Sequence, residues 1–306
     1  MSNVTGARTL AVFTTIHPGI TAAFLKAWYR SLRAQSDVDF DLWVALDSVS
    51  PRRVLWHLGE DPNAHWVTAT ASDSPASLRS RAIRRLVERY EHVVFVDSDD
   101  VLLPERVASA RRALARADVH ACAMRLIGES GRSLGRTFRP AARPSPSSML
   151  PRCNAFGLSN TAYRTAVLRR CLPIPRTCRL VDWYLATSAW ARGARLQFDR
   201  EPHMGYRLHR GSMAPVLAPF SANQVRHAAS LVRQHYRIML ARPAGLQPRR
   251  RQALAEASAR LADFERGVLS SRGRLKVYVS SLNRLPNPHA WWDLVAHPAL
   301  EWTWKS

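Results

Sequence analysis

A mostly parallel α/β sheet flanked by helices, followed by a helical extension, is the fold class that the order of apolar segments predicts. Over residues 9–96, short apolar runs of strand character alternate with longer stretches of helical spacing. Acids stand at the ends of two of these strands, Asp47 and the group Asp97, Asp99 and Asp100. From about residue 220 the apolar spacing turns helical and stays so.

The elements follow in order. "TLAVFTTI" is an apolar run that suits a buried strand, and "ITAAFLKAWYRSLRAQ" carries Phe24, Trp28, Ser31 and Leu32 on one helical face. "DFDLWVALD" reads as the second strand, "PRRVLWHL" as a short helix and "HWVTAT" as the third strand. "SPASLRSRAIRRLVERY" is a helix with Ser74 as its N-cap and Pro75 at its first position. "HVVFV" is the fourth strand, "LLPERVASARRAL" a helix and "VHACAMRLI" a fifth strand. Trp43, Trp56 and Phe95 read as core. "RTFRPAARPSPSSMLPR", rich in Pro, Ser and Arg, reads as a mobile loop. Beyond it, Val225, Ala229, Val232, Tyr236 and Met239 form one helical stripe, and Leu254, Ala257, Leu261, Phe264 and Val268 form another. The expected division is a catalytic unit over 1–220, split near residue 125 into two halves, and a basic helical extension over 221–306.

The bulk numbers bound the function. A chain of 306 residues holds one large domain or two small ones, and 46% hydrophobic residues is ordinary for a globular protein. The net charge of +22 is not ordinary, and it favours nucleic acid, an anionic membrane surface or a phosphorylated substrate as partner. Lys26, Lys276 and Lys305 are the only lysines. Arginine used so widely also follows from a GC-rich coding sequence, which dilutes the nucleic-acid reading. Cys122, Cys153, Cys171 and Cys178 form no CxxC pair and no zinc-finger spacing, so buried thiols in a reducing compartment are expected. The N-terminus lacks the long apolar region of a signal peptide, and no stretch approaches the ~20 apolar residues of a membrane span. A cytoplasmic protein is expected, with peripheral attachment to the inner face of the cell membrane as an option.

"VVFVDSDDVLLP" poses the chemical question, because three carboxylates within four positions repel one another unless hydrated or neutralised. Helix capping accounts for one of them, with Asp100 placed to cap the helix that follows. In open α/β sheets ligands gather at the carboxyl ends of strands, where Asp47 and the cluster both fall. Carboxylates there suit a hard divalent cation and the diphosphate that it bridges.

These residues resemble the inverting family-two glycosyltransferases of the GT-A fold, bacterial type, over roughly residues 8–215. "SLRAQSDVDFDLWVALD" is similar to the family's helix and second strand, "VVFVDSDD" to its DxD motif and "NAFGLSNTAYR" to its acceptor-side segment. "VDWYLATSAWARGARL" resembles its catalytic helix and "YRLHRGSMA" its closing element. The resemblance implies transfer of a sugar from a nucleotide-diphosphate donor to a hydroxyl of a carbohydrate or lipid-linked acceptor, as in surface polysaccharide or glycolipid synthesis. It implies Mg²⁺ or Mn²⁺ as cofactor. Asp47 and Thr14 would lie along the nucleotide, Asp97 at ribose or metal, Asp99 and His209 at the metal, and Arg207 near the diphosphate. Asp182 would be the general base, with Trp183 and Asn160 on the acceptor side; Asp182 is also placed to cap its own helix, and Asn154 and Asn160 to cap turns. Two stretches depart from the family pattern: "LDSVS" stands where DDGS is usual, and "RSRAIRR" lacks the usual Asn and Gly.

Two other functions compete. A nucleotidyltransferase on a related sheet usually needs a Gly-rich phosphate loop, which "TTIHPGITAA" is not. A non-enzymatic basic nucleic-acid-binding protein needs a recognition motif that is not visible, so no nucleic-acid partner is expected. The tail "PHAWWDLVAHPALEWTWKS" carries Trp291, Trp292, Trp302 and Trp304 near many arginines. Such a mixture suits a membrane–water interface, or else packing on the catalytic unit or on a second copy.

Overall fold

The computed structural model describes residues 9–140, 145–212 and 214–305. The leader reading of the first eight residues, and residues 141–144 of the Pro-rich segment, lie outside these.

The first half alternates as the spacing predicts. Strands β1 (Leu10–Ile16), β2 (Asp41–Leu46), β3 (Ala64–Thr68) and β4 (His92–Phe95) are linked by helices α1 (Ala22–Arg33), α2 (Pro51–Leu58) and α3 (Pro75–Arg89). All pairs among these strands are parallel, in the order β3-β2-β1-β4. Every residue of β1 is buried, which requires cover on both faces of the sheet. The helix starts are written locally. Thr21 Oγ1 accepts from Phe24 N at 3.2 Å, and Ser74 and Ser77 cap α3 reciprocally behind Pro75. Trp43 and Phe95 are core, but Trp56 is 78% exposed. In so short a helix only Val54 turns fully inward, which leaves Trp56 on the outer face.

Then follow β5 (Val101–Leu102), α4 (Arg106–Leu114), β6 (Val119–Ile127), β7 (Ser133–Phe138), β8 (Thr161–Arg164), α5 (Thr165–Cys171), α6 (Val181–Ala191) and β9 (Leu196–Arg207). Beyond β4 the sheet becomes mixed. β8 is antiparallel to both β4 and β6, β6 is parallel to β9, and β5 and β7 join antiparallel to β9 and β6. The Pro-rich segment read as a mobile loop is partly regular, since Arg136–Phe138 belong to β7 and Pro146–Met149 form a 3₁₀ turn. Residues 101–102 pair with β9, so the following helix starts later than its apolar spacing suggests. Asp100 does not cap it: Glu105 holds the N-cap position, without a side-chain bond.

The C-terminal part forms three helices rather than two: α7 (Ala222–Leu240), α8 (Pro248–Phe264) continued by a π-turn at Glu265–Leu269, and α9 (Arg272–Leu282). It shares one core with the sheet. Trp183 of α6 stacks on His235 of α7 with ring centroids 4.0 Å apart, and Tyr236 Oη donates to Pro151 O at 2.8 Å. Trp291 and Trp292 are buried at 4% and 3% exposure, so the membrane-interface reading fails for these two. Trp291 makes an antiparallel bridge with Asn154 and fills the space that Gly157 leaves, where a Cβ would lie 2.6 Å from the indole. Trp302 remains 63% exposed. Among the described residues no helix is long and apolar enough to cross a membrane, and all four cysteines are buried and free.

Candidate active site

A cleft of about 700 Å³ opens at the carboxyl ends of β1 and β4. Its wall includes Thr15, His17, Arg79, Asp97, Asp99, Ser159, Asp182, Arg207, Trp291 and Trp292. Strand ends supply the acids, α3 supplies Arg79, and the first turn of α6 supplies Asp182.

The turn after β4 divides its acids by environment. Asp100 is 1% exposed and fully engaged: Oδ1 accepts from Arg207 N at 2.6 Å, and Oδ2 takes a hydrogen bond from Ser159 Oγ. Burial, and next the Asp99 charge, push its carboxyl well above the usual range. Its role is to tie the turn to β9. Asp97 N donates to Ser159 Oγ at 3.0 Å, and Ser159 lies 3.1 Å from Asp97 Oδ2. Burial and then neighbouring Asp99 raise Asp97 to about 7, while Arg79 and Ser159 oppose the rise. Asp99 Oδ2 lies 3.0 Å from His209 Nε2. Asp97 and Asp99 line the cleft, and His209, outside the lining, joins them only through Asp99. The three do not form a compact ligand set: among the described residues, the acids and imidazoles whose ligand atoms all lie within 4.8 Å of one another are His289, Asp293 and His297.

Asp182 sits in the first turn of α6, two residues beyond the N-cap position Leu180. It is not the N-cap residue, but its carboxylate accepts from first-turn amides, so the capping contact is present beside any other role. Its Oδ2 accepts from Asn154 Nδ2 at 2.9 Å. Burial raises its carboxyl above the ordinary value; the Trp183 amide, Asn154 and Arg79 hold the rise in check.

Several predicted residues stand elsewhere. Thr14 is 1% exposed with an unpartnered Oγ1, because strand parity turns Thr15 to the cleft instead. Asp47 is half-buried at the end of β2 and does not line the cleft, although its charge acts on His17, whose pKa burial lowers. Asn160 is fully buried and donates to Cys122 O at 2.8 Å and Ala155 O at 3.0 Å, a bracing role between strand and loop. Trp183 is buried too, donating to Leu150 O at 2.8 Å. One position along α6 from Asp182 turns its side chain into the α6–α7 interface. The acceptor-side assignments for Asn160 and Trp183 therefore do not hold. Arg207 lines the cleft, with Nε committed to Asp99 O at 2.6 Å and Nη1 to Gly128 O and Glu129 O, so that Nη2 is the nitrogen left for a ligand; the guanidinium lies 4.7 Å above the Phe24 ring.

Sequence reasoning missed Arg79, Ser159, Trp291 and Trp292. Arg79 lies within "RSRAIRR", the very stretch that departs from the family pattern, and its Nε is buried without a partner. The tryptophans carry no positional signal, because their sequence distance from the acids is long.

No protein-family model and no curated protein sequence matches the chain. Solved structures do resemble it. S. aureus TarS 1-349 in complex with UDP-GlcNAc superposes with a TM-score of 0.59 at 18% identity, covering 88% of this chain and 76% of that one. The mannosyltransferase PcManGT from Pyrobaculum calidifontis, in complex with GDP-Man and Mn²⁺, superposes with a TM-score of 0.54 at 17% identity, covering 84% and 70%. Against the longer S. aureus TarS structure, the chain spans about half, 52% of that chain's length, at a TM-score of 0.57 and 17% identity. With its strand order and acid-lined cleft, the chain has the GT-A type of glycosyltransferase fold.

Proposed function

We propose that this protein transfers a sugar from a nucleotide-diphosphate donor to a hydroxyl acceptor by an inverting displacement. The observation that carries the reading is the sharing of one cleft by Asp97 and Asp99 from a strand end and Asp182 from a separate helix. The two neighbours solved with UDP-GlcNAc and with GDP-Man and Mn²⁺ support it at the level of fold.

Asp97 and Asp99, with His209 joined through Asp99, are the residues that would hold Mg²⁺ or Mn²⁺. Such an ion, when bound, offsets the negative charge that develops on a departing diphosphate. Asp100 is excluded as a ligand by its bonds to Ser159 and Arg207 N. Arg79, with its buried Nε free of protein partners, is the counter-charge for the diphosphate, in the place expected of Arg207. Asp182 takes the proton from the attacking hydroxyl. A raised pKa suits this role, since a stronger base holds the proton better as the bond forms. Asn154 orients the carboxylate, and the buried Trp291 and Trp292 form part of the cleft wall.

Calorimetric titration with UDP, GDP and dTDP, with and without Mn²⁺, tests the reading. Metal-dependent binding of one nucleotide supports it; binding of none of them, with salt-sensitive binding to DNA, overturns it.

A second contact follows from the charge. Arg226, Arg272 and Lys276 rim a groove floored by Ala222, Leu275 and Val279. Cations over an apolar floor suit an anionic membrane surface, on which a lipid-linked acceptor would travel.

A further inference from the structure

We infer that His289, Asp293 and His297 form a binding site for a divalent transition ion of the zinc class, which ties the C-terminal loop that carries Trp291 and Trp292 to itself behind the cleft. The site is separate from the acids of the cleft.

One ligand atom from each residue lies within 4.8 Å of the others. His297 Nε2 is 3.7 Å from Asp293 Oδ2, and the two imidazole centroids are 5.9 Å apart. Ligands on a tetrahedral ion with bonds of about 2.0–2.2 Å stand roughly 3.3–3.6 Å from one another, so a small contraction closes the site. His289 and Asp293 are 4% and 7% exposed, and His289 Nε2 is buried without a hydrogen-bond partner. An orphaned imidazole nitrogen beside a carboxylate is costly unless something electrophilic completes it. Two imidazoles and one carboxylate select Zn²⁺ and its neighbours over Mg²⁺ or Ca²⁺, and a water fills the fourth position.

Of the surrounding bonds, one supports the ion and one must be given up. Arg152 Nη1 donates to Asp293 Oδ1, which orients the carboxylate and leaves Oδ2 toward His297. His297 Nδ1 accepts from Ala299 N at 3.2 Å. Loading Nε2 moves the ring proton to Nδ1 and exchanges that single cap bond for a metal bond. The loop between the ligands contains Trp291 and Trp292, and Trp291 bridges to Asn154, the partner of Asp182. An ion here therefore stiffens the wall of the cleft from behind.

The test uses the full chain carrying Asp97→Ala and Asp99→Ala, so that the cleft acids do not contribute, and Zn²⁺ alone as probe. After chelator treatment and dialysis against Zn²⁺, the double variant retains about one ion per chain and its melting temperature rises by several degrees. Adding His297→Gln or His289→Gln weakens Zn²⁺ binding by more than the ~10–100-fold that loss of an outer hydrogen-bond partner costs, and abolishes the melting shift. Co²⁺ loaded in place of Zn²⁺ gives the visible bands of a four-coordinate site, which the His297→Gln chain lacks. If the double variant itself retains no Zn²⁺, or if folded His289→Gln and His297→Gln chains retain as much, the site does not exist.

Discussion

Asn154 Nδ2 donates to Asp182 Oδ2 at 2.9 Å, while the main chain of Asn154 makes both hydrogen bonds of a bridge to Trp291, at 2.9 and 3.0 Å. The carboxylate proposed as base is thereby held by a residue that is itself pinned to the C-terminal loop. A hydrogen bond donated to a carboxylate favours its charged form, so Asn154 works against the burial that raises Asp182.

This relationship sets a pH dependence. The base acts deprotonated, so activity is full above the raised pKa of Asp182 and falls as pH drops through it. The acid limb of kcat/KM lies above the ordinary carboxylate range. Asn154→Ala removes a charge-assisted bond of about 1.5–3 kcal/mol, which moves the limb upward by roughly one to two pH units. A pH–rate profile checks this. An unmoved limb with lower activity at every pH assigns Asn154 a purely structural role.

The cleft acids are expected to govern nucleotide binding through the ion. Asp99→Ala removes one ligand and the partner of His209, and abolishes the Mn²⁺-dependent part of nucleotide affinity as read by calorimetry. Asp97→Ala is nearly as severe. Near-normal turnover of Asp99→Ala at low Mn²⁺ contradicts the metal assignment.

Arg79→Gln keeps much of the side chain's volume but removes its charge. It is expected to weaken binding of a nucleoside diphosphate by roughly 10-fold or more, the loss of one charge-assisted hydrogen bond of about 1.5–3 kcal/mol, while binding of the nucleoside alone stays unchanged. Arg207→Gln differs, because its donors serve Asp99, Gly128 and Glu129 carbonyls. Its expected signature is a lower melting temperature.

Arg226→Glu, Arg272→Glu and Lys276→Glu together are expected to abolish flotation with anionic vesicles at low salt, since each cation near such a surface contributes about 1 kcal/mol. Removal of residues 221–306 is not a clean test, because it strips Trp291 and Trp292 from the core. Wild-type protein that stays at the bottom with anionic vesicles at low salt contradicts the membrane contact.

Much of the fold was legible because it is written in local chemistry. The apolar runs of β1, β2 and β4, and the Ser74–Pro75 start of α3, are short-range signals that the structure realises. Strand β9 and the mixed half of the sheet were not legible, because β9 carries few buried residues and owes its pairing to β6, far back in the chain. The acids at the strand ends announced the cleft, yet parity errors of one residue misplaced Thr14 and Trp183. A strand or helix fixes direction only after its register is known. Asn154 as partner of Asp182, Arg79 as a charge near Asp97, and Trp291 as partner of Asn154 were illegible because only tertiary packing brings them together.

The central claim is that Asp182 is the base, and turnover of Asp182→Asn measured beside donor affinity tests it most directly. The amide keeps the shape and can still meet Asn154, but cannot take the proton. The account predicts a fall in kcat of ~10²–10⁴-fold with the nucleotide-sugar Kd nearly unchanged. Equal losses in donor affinity and turnover, or turnover within a few-fold of wild type, would contradict it.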